Sequence, residues 1–318
     1  MEGGIMAIDP SSGQPDYVDN LQLLTTNRNL AQRLFITTGD TSAAAALAAR
    51  MAAIIQAEYP QLWPETVRAL MVHAAEWTPA MRPQRQTEPP SRTMIKQMLR
   101  TYGYGAPTLG RALWSARNAL TLIVQDSLQP FDRNEQGCYV TRDMHLHNLP
   151  WPIDALRELE HETVELHVTL SYFIEPNPGE RGWRRRYRYA SHGLRFDVKT
   201  PTETEEDFKK RLSKAAREEE ETGSSTSSDA ERWLLGPDLR HKGSIHSDRW
   251  QGTARELADR GVLAVFPVIG WWRERPRHDR WHRQACYALI VSIHTPASEV
   301  DIYTPVAAQI QAEIPTEA

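Results

Sequence analysis

Thr37-Thr38-Gly39-Asp40-Thr41-Ser42-Ala43-Ala44-Ala45-Ala46-Leu47-Ala48-Ala49 sets a serine at the mouth of an alanine-rich run. Alanine is the strongest helix former, and no glycine or proline interrupts the run before Pro60. A helix is therefore predicted from Ala43 to Tyr59. A serine in that position has two chemical uses. As a cap, its hydroxyl satisfies one of the unpaired backbone N–H groups of the first turn. As a nucleophile, it gains from the positive end of the helix dipole and from the same N–H groups, which can receive a developing oxyanion.

The flanks extend the pattern. Residues 1 to about 36 are polar and turn-rich, with Pro10, Ser11, Ser12 and Gly13 among them. Downstream, Pro64 suits a first helical position, and Val67, Leu70, Met71 and Ala74 then recur at helical spacing on one face. Pro79, Pro83, Pro89 and Pro90 mark a loop over residues 79 to 92. Tyr102-Gly103-Tyr104-Gly105-Ala106-Pro107 is a glycine-punctuated turn, and a short helix is expected from Leu109 to Ser115.

Taken in order, these segments resemble the closing third of the catalytic domain of the subtilisin-like serine proteases, over about residues 35 to 118. The Gly-Thr-Ser turn that feeds the family's small-residue helix is echoed by Gly39, Thr41 and Ser42. Its proline-started second helix is echoed by Pro64-Glu65-Thr66-Val67-Arg68-Ala69-Leu70-Met71, and its terminal glycine turn by Gly103, Gly105 and Ala112. The resemblance implies that Ser42 is the acyl-enzyme nucleophile and that the substrate is a protein or peptide. It implies no cofactor and no metal.

The departures matter as much. The family usually has glycine directly before the Thr-Ser pair, where this chain has Asp40. The family proline four residues after the serine is Ala46, and a usual helix glycine is Arg50. Subtilisin-type triads run Asp, His, Ser along the chain, yet the residues before Ser42 contain no histidine. His73, on the second helix, lies on an element that in the family faces away from the cleft, so packing or a surface position is its expected role. The resemblance therefore implies an incomplete endopeptidase that lacks the triad Asp and His. Those groups would come from an upstream protease portion or a partner chain, and the chain alone would be nearly inactive.

Beyond Leu120 the period changes from helix to strand. Thr163-Val164-Glu165-Leu166-His167-Val168-Thr169-Leu170-Ser171-Tyr172 alternates polar with apolar, the mark of a half-buried strand. Leu194, Phe196 and Val198 repeat the pattern, as do Tyr287, Leu289, Val291 and Ile293. Val262 to Val268 is more uniformly apolar and reads as a central strand. Residues 202 to 221 are rich in Glu, Lys and Arg and predict a solvated helix, followed by a Gly/Ser linker near 223–229. The fold expected is thus an α/β portion over residues 1–118, the C-terminal part of a subtilisin-like domain. A mainly antiparallel β-sandwich-like domain follows over 119–318, with a charged helical insert near 202–230.

Composition narrows the function. The 318 residues carry 37 Lys plus Arg against 41 Asp plus Glu, a net charge of −4, which argues against a protein that coats nucleic acid or an acidic membrane. Arg181 to Tyr189 interleaves arginines with Trp183, Tyr187 and Tyr189. Stacking at a sheet surface is its expected role, with a peptide or nucleic-acid contact as the alternative. Trp271, Trp272 and Trp281 are expected to pack onto the sandwich or to mark an interface. A non-catalytic binding protein using this Arg/Trp surface is the rival to the protease. His145 and His147, with His161, offer imidazoles of the kind zinc favours, but no cysteine or carboxylate falls at a recognised ligand spacing, so half-exposed strand histidines are expected and a zinc site is the alternative. Cys138 and Cys286 are too few for a disulfide framework and predict free thiols, a single bridge being the alternative. No apolar run reaches the roughly 20 residues of a membrane span, and Met1 to Ile8 lacks a secretory pattern, so a cytoplasmic location is expected.

Overall fold

The computed structural model describes residues 6–8, 11–17, 22–82, 90–117, 121–178, 189–222 and 229–295. The N-terminal third opens with two short hairpins, β1 (Met6–Ile8) with β2 (Pro15–Tyr17) and β3 (Leu23–Thr26) with β4 (Phe35–Thr38). The alanine run forms α1 (Asp40–Glu58), which starts three residues earlier than its alanines require. Pro64 opens α2 (Pro64–His73), which leads into β5 (Ala75–Glu76). Ser91 caps α3 (Arg92–Tyr102) by accepting from the Met94 N–H, a satisfied first-turn donor. The glycine turn then leads through β6 (Ala106–Pro107) to α4 (Leu109–Arg117).

The remainder is strand-rich. In chain order come β7 (Thr121–Leu128), β8 (Phe131–Arg133), β9 (Tyr139–Thr141), β10 (His145–Asn148), α5 (Ile153–Glu158), β11 (Thr163–Tyr172) and β12 (Gly193–Val198). There follow α6 (Glu205–Thr222), α7 (Gly236–Arg240), β13 (Ile245–Thr253), α8 (Ala254–Ala258), β14 (Val262–Val268), α9 (Trp271–Glu274) and β15 (Ala285–His294). One sheet has the order β13-β11-β15-β7 and a second the order β10-β14-β12. Every strand pairing among the described residues is antiparallel. Val262 to Val268 is the central strand of its sheet, as its uniform apolarity predicts.

Period two explains the main core. Leu166, Val168 and Leu170 of β11 point one way, with Leu289, Val291 and Ile293 of β15 beside them. Leu194, Phe196 and Val198 of β12 and Leu263 and Val265 of β14 close over them from the second sheet. Each such side chain contributes about 1.5–3 kcal/mol on full burial, which makes this interface the main source of stability. Helices lie on the outer faces. Met51, Ile55, Val67, Leu70 and Ala112 of α1, α2 and α4 pack on Ala288 and Ile290 of β15. Phe208 and Leu212 of α6 pack on Ala264 and Phe266 of β14.

Two expectations change in consequence. Three polar positions of β11 do not face water: His167, Thr169 and Ser171 are buried, because α2 lies across that part of the sheet. The charged insert is a helix but not a fully solvated one. Phe208, Leu212 and Ala215 fall at i, i+4 and i+7, and that stripe docks while Glu205, Glu206, Lys209, Lys210 and Lys214 stay outside. Residues 223–228 of the expected linker and 83–89 of the expected loop lie outside the described residues. The combination of helices with antiparallel sheets fits a partial α/β subtilisin-like portion joined to a strand-rich remainder.

Candidate functional site

The β3–β4 hairpin delivers the chain to Gly39, which takes the N-cap position of α1 in extended backbone, and no side chain caps the helix there. Asp40 follows with φ of 64°, in the left-handed region. Only glycine enters that region freely, although aspartate tolerates it better than most residues. This is the position at which the family resemblance expects glycine, and the backbone shows why. Ser42 sits in the first turn, exposed, with no hydrogen-bond partner among the described residues. It does not cap its own helix. The hydroxyl is presented to solvent beside first-turn N–H groups that have no intrahelical acceptor.

His73 lies elsewhere. It is the last residue of α2, buried against β11 and β15, with Nδ1 2.9 Å from Thr169 Oγ1 and Nε2 2.8 Å from Ser292 Oγ. Burial, then the fields of His294 and Arg249, push its pKa down to about 3. Both ring nitrogens are spent on the sheet, so of the two roles expected from the sequence, packing or surface, His73 takes packing. It belongs to a buried polar seam that the sequence did not announce. His167 stacks on His73 with ring centres 3.9 Å apart, and its Nε2 lies 2.9 Å from Ser247 Oγ. Ser247 in turn lies 2.8 Å from Thr169 Oγ1. The one available signal was the alternation of His167, Thr169 and Ser171 along β11, which fixes a common face but not what covers it.

His145 and His147 share a face of β10, as their spacing predicts. Nδ1 of His145 and Nε2 of His147 each lie 2.8 Å from the phenol oxygen of Tyr287, and His145 also reaches Asp126 at 2.9 Å. Burial, and then Asp126, raise the Tyr287 pKa, so the phenol stays neutral and links the two rings. His161 is exposed and apart from them. Among the described residues no group of three or more His, Cys, Asp or Glu side chains is arranged to hold a metal. Cys138 and Cys286 are both exposed, free thiols.

Trp271 and Trp272 are buried, and Glu175 receives both indole N–H groups, through its carbonyl and its carboxylate respectively. They are structural pillars rather than surface. The arginine-rich stretch falls at residues 181–188, outside the described residues; of it only Tyr189, exposed, is described. No described helix is long and apolar enough to cross a membrane.

Against known proteins, residues 2–105 match the sequence model of the peptidase S8, subtilase family. No curated protein and no solved structure matches the chain.

Proposed function

From the match of residues 2–105 to the subtilase family model, we propose that the chain is the serine-bearing part of a subtilisin-like endopeptidase, with Ser42 as its acyl-enzyme nucleophile. The exposed, uncapped hydroxyl at the start of α1 is the observation that carries this reading. Ser42 attacks the scissile carbonyl and passes its proton to a histidine base. The first-turn N–H groups of α1 help hold the oxyanion. The base and its orienting carboxylate are supplied by polypeptide outside this sequence, since no histidine precedes Ser42 and His73 is committed to the sheet.

A large apolar surface supports that supply. Leu24, Leu30, Leu34 and Phe35, all on or between β3 and β4, are 69, 60, 62 and 54% exposed. Of the nineteen residues of α1 only Ala43, Met51 and Ile55 are buried. Exposed apolar area of this kind marks a surface awaiting a partner. The remaining strands of a subtilisin-like sheet fit it. The two sheets of the C-terminal portion, sharing one core, we read as a β-sandwich-like domain from about residue 119, which stabilises the serine-bearing part.

Without its base the chain has almost no activity. Loss of the serine or histidine in subtilisin costs about 10⁶ in kcat, about 8 kcal/mol of barrier. The test is a fluorophosphonate probe read by mass spectrometry. The isolated chain is expected not to label. Mixed or co-expressed with a subtilase segment carrying the Asp and His, it labels at Ser42, and Ser42→Ala abolishes the adduct. Labelling or peptide hydrolysis that survives Ser42→Ala overturns the assignment. The rival, a non-catalytic binding protein using an Arg/Trp surface, loses ground because Trp271 and Trp272 are buried.

A further inference from the structure

Arg68 of α2 is a half-buried cation without an anion. Its Nη1 donates to the Tyr172 carbonyl at 3.1 Å and to the carbonyl and hydroxyl of Ser244 at 3.3 and 3.2 Å. The Phe173 ring centre lies 5.2 Å from the guanidinium carbon and supports its plane. No carboxylate of the described residues pairs with it. Glu65, the acid nearest in sequence, acts on Cys286 of β15 instead. A charge drawn out of water with no counter-charge costs free energy, and burial pushes the pKa of Arg68 below the ordinary guanidinium value. Nε and Nη2 make no hydrogen bond among the described residues, and neither is sealed from solvent. Together they form one edge of the guanidinium fork, which can grip a carboxylate through two parallel bonds.

Arg68 also lines a groove of about 450 Å³ between α1 and α2, a volume in the range of small-ligand sites. Ala52, Ala53 and Gln56 of α1 stand against Val67, Met71 and Val72 of α2. Arg68 is the one charged residue of this lining among the described residues. Gln56 spends its amide N–H groups on the carbonyls of Tyr59, Pro60 and Leu62. Both walls are helices, whose backbone N–H and C=O groups bond internally, so an extended peptide finds no strand edge to pair with. The α2 wall begins at Pro64 and ends at Val72. At 1.5 Å per residue that is about 12 Å, the reach of an extended alkyl chain of about ten carbons.

Charge and shape together select the ligand class. One guanidinium balances one negative charge. A neutral or cationic amphiphile leaves Arg68 uncompensated, and a dianion brings a second charge with nothing to meet it. We infer that the groove binds a medium-chain fatty acid as its carboxylate, with the head held side-on by Nε and Nη2 of Arg68. The alkyl chain lies between Ala52 and Ala53 on one side and Val67 and Met71 on the other. This site is independent of Ser42.

Calorimetric titration of the whole chain with decanoate tests it, alongside decanol, which lacks the charge, and decyltrimethylammonium, which reverses it. Saturable one-site binding of decanoate is expected, with the other two weaker by at least about tenfold. Arg68→Gln should weaken decanoate by a similar factor and leave decanol unchanged, with folding checked by circular dichroism. If that variant fails to fold, Ala53→Trp, at an exposed helix position, fills the groove and should abolish binding. No binding of decanoate at millimolar concentration overturns the proposal, as does equal binding of all three compounds. Binding that survives Ala53→Trp but is lost in Leu34→Ser with Phe35→Ser also overturns it, because the chain would then lie on the β3–β4 hairpin.

Discussion

Asp40 concentrates the tension of the serine turn in one residue. Its backbone is left-handed, with φ of 64°, next to an N-cap glycine that is extended. A side chain in that region costs about 1 kcal/mol relative to glycine, somewhat less for aspartate. Its carboxylate offsets part of the cost by standing in the first turn of α1, where the dipole favours negative charge. Asp40→Gly is therefore expected to change stability by no more than about 1 kcal/mol, in the stabilising direction. Chemical denaturation checks it, and a loss above that size would mean the carboxylate holds the turn through its own contacts. Gly105 shows the opposite case. It has φ of 103°, and a β-carbon there would collide with the Glu76 backbone of β5, so glycine is required.

At the scale of elements, the contact that matters is α2 upon β11 and β15. It is polar at its centre, with two stacked, uncharged imidazoles and three hydroxyls satisfying one another. Unsatisfied, such a seam would be costly; complete, it fixes one register of the helix on the sheet. It also makes the contact acid-sensitive. Burial lowers the pKa of His73 to about 3 and that of His167 well below its ordinary value. In the unfolded chain both titrate near 6.5. The unfolded state therefore binds more protons, and the stability carried by the neutral rings is full above pH 6.5 and falls as pH drops. For His73 the decline runs from about 6.5 down to about 3. At pH 4.5 His73 alone costs about 3 kcal/mol. Urea midpoints between pH 7 and 4.5 should fall steeply. A flat profile would show that these rings are hydrated or already charged in the native state.

Over the whole molecule, burial is uneven. The two-sheet core and the helices that cover it are well packed, while among the described residues β3 and β4 pair only with each other. An isolated two-stranded hairpin is marginal in water, and this one displays four large apolar side chains. The isolated chain is expected to self-associate with rising concentration through that surface. Leu34→Ser together with Phe35→Ser should reduce association in light scattering and leave the unfolding temperature nearly unchanged. Unaltered association would place the sticky surface elsewhere.

What local sequence determined was local. The alanine run and Pro64 determined where α1 and α2 form, and period two determined the strands and which residues share a face. The turn before the alanine helix left Ser42 as readily a cap as a nucleophile, and only its order with the Pro64 helix and the Gly103–Gly105 turn pointed to the latter. Only the tertiary structure decided what each face meets. His73 finds its two hydroxyl partners 96 and 219 residues away, on strands whose pairing no short stretch encodes. The polar side of β11 is equally suited to water or to a helix that matches its hydrogen bonds. Phe208 and Leu212 look like interruptions in a charged run until β14 gives them a surface to cover. Hydrogen bonding and burial are satisfied by whatever is near in space, and a chain brings distant residues together only once it has folded.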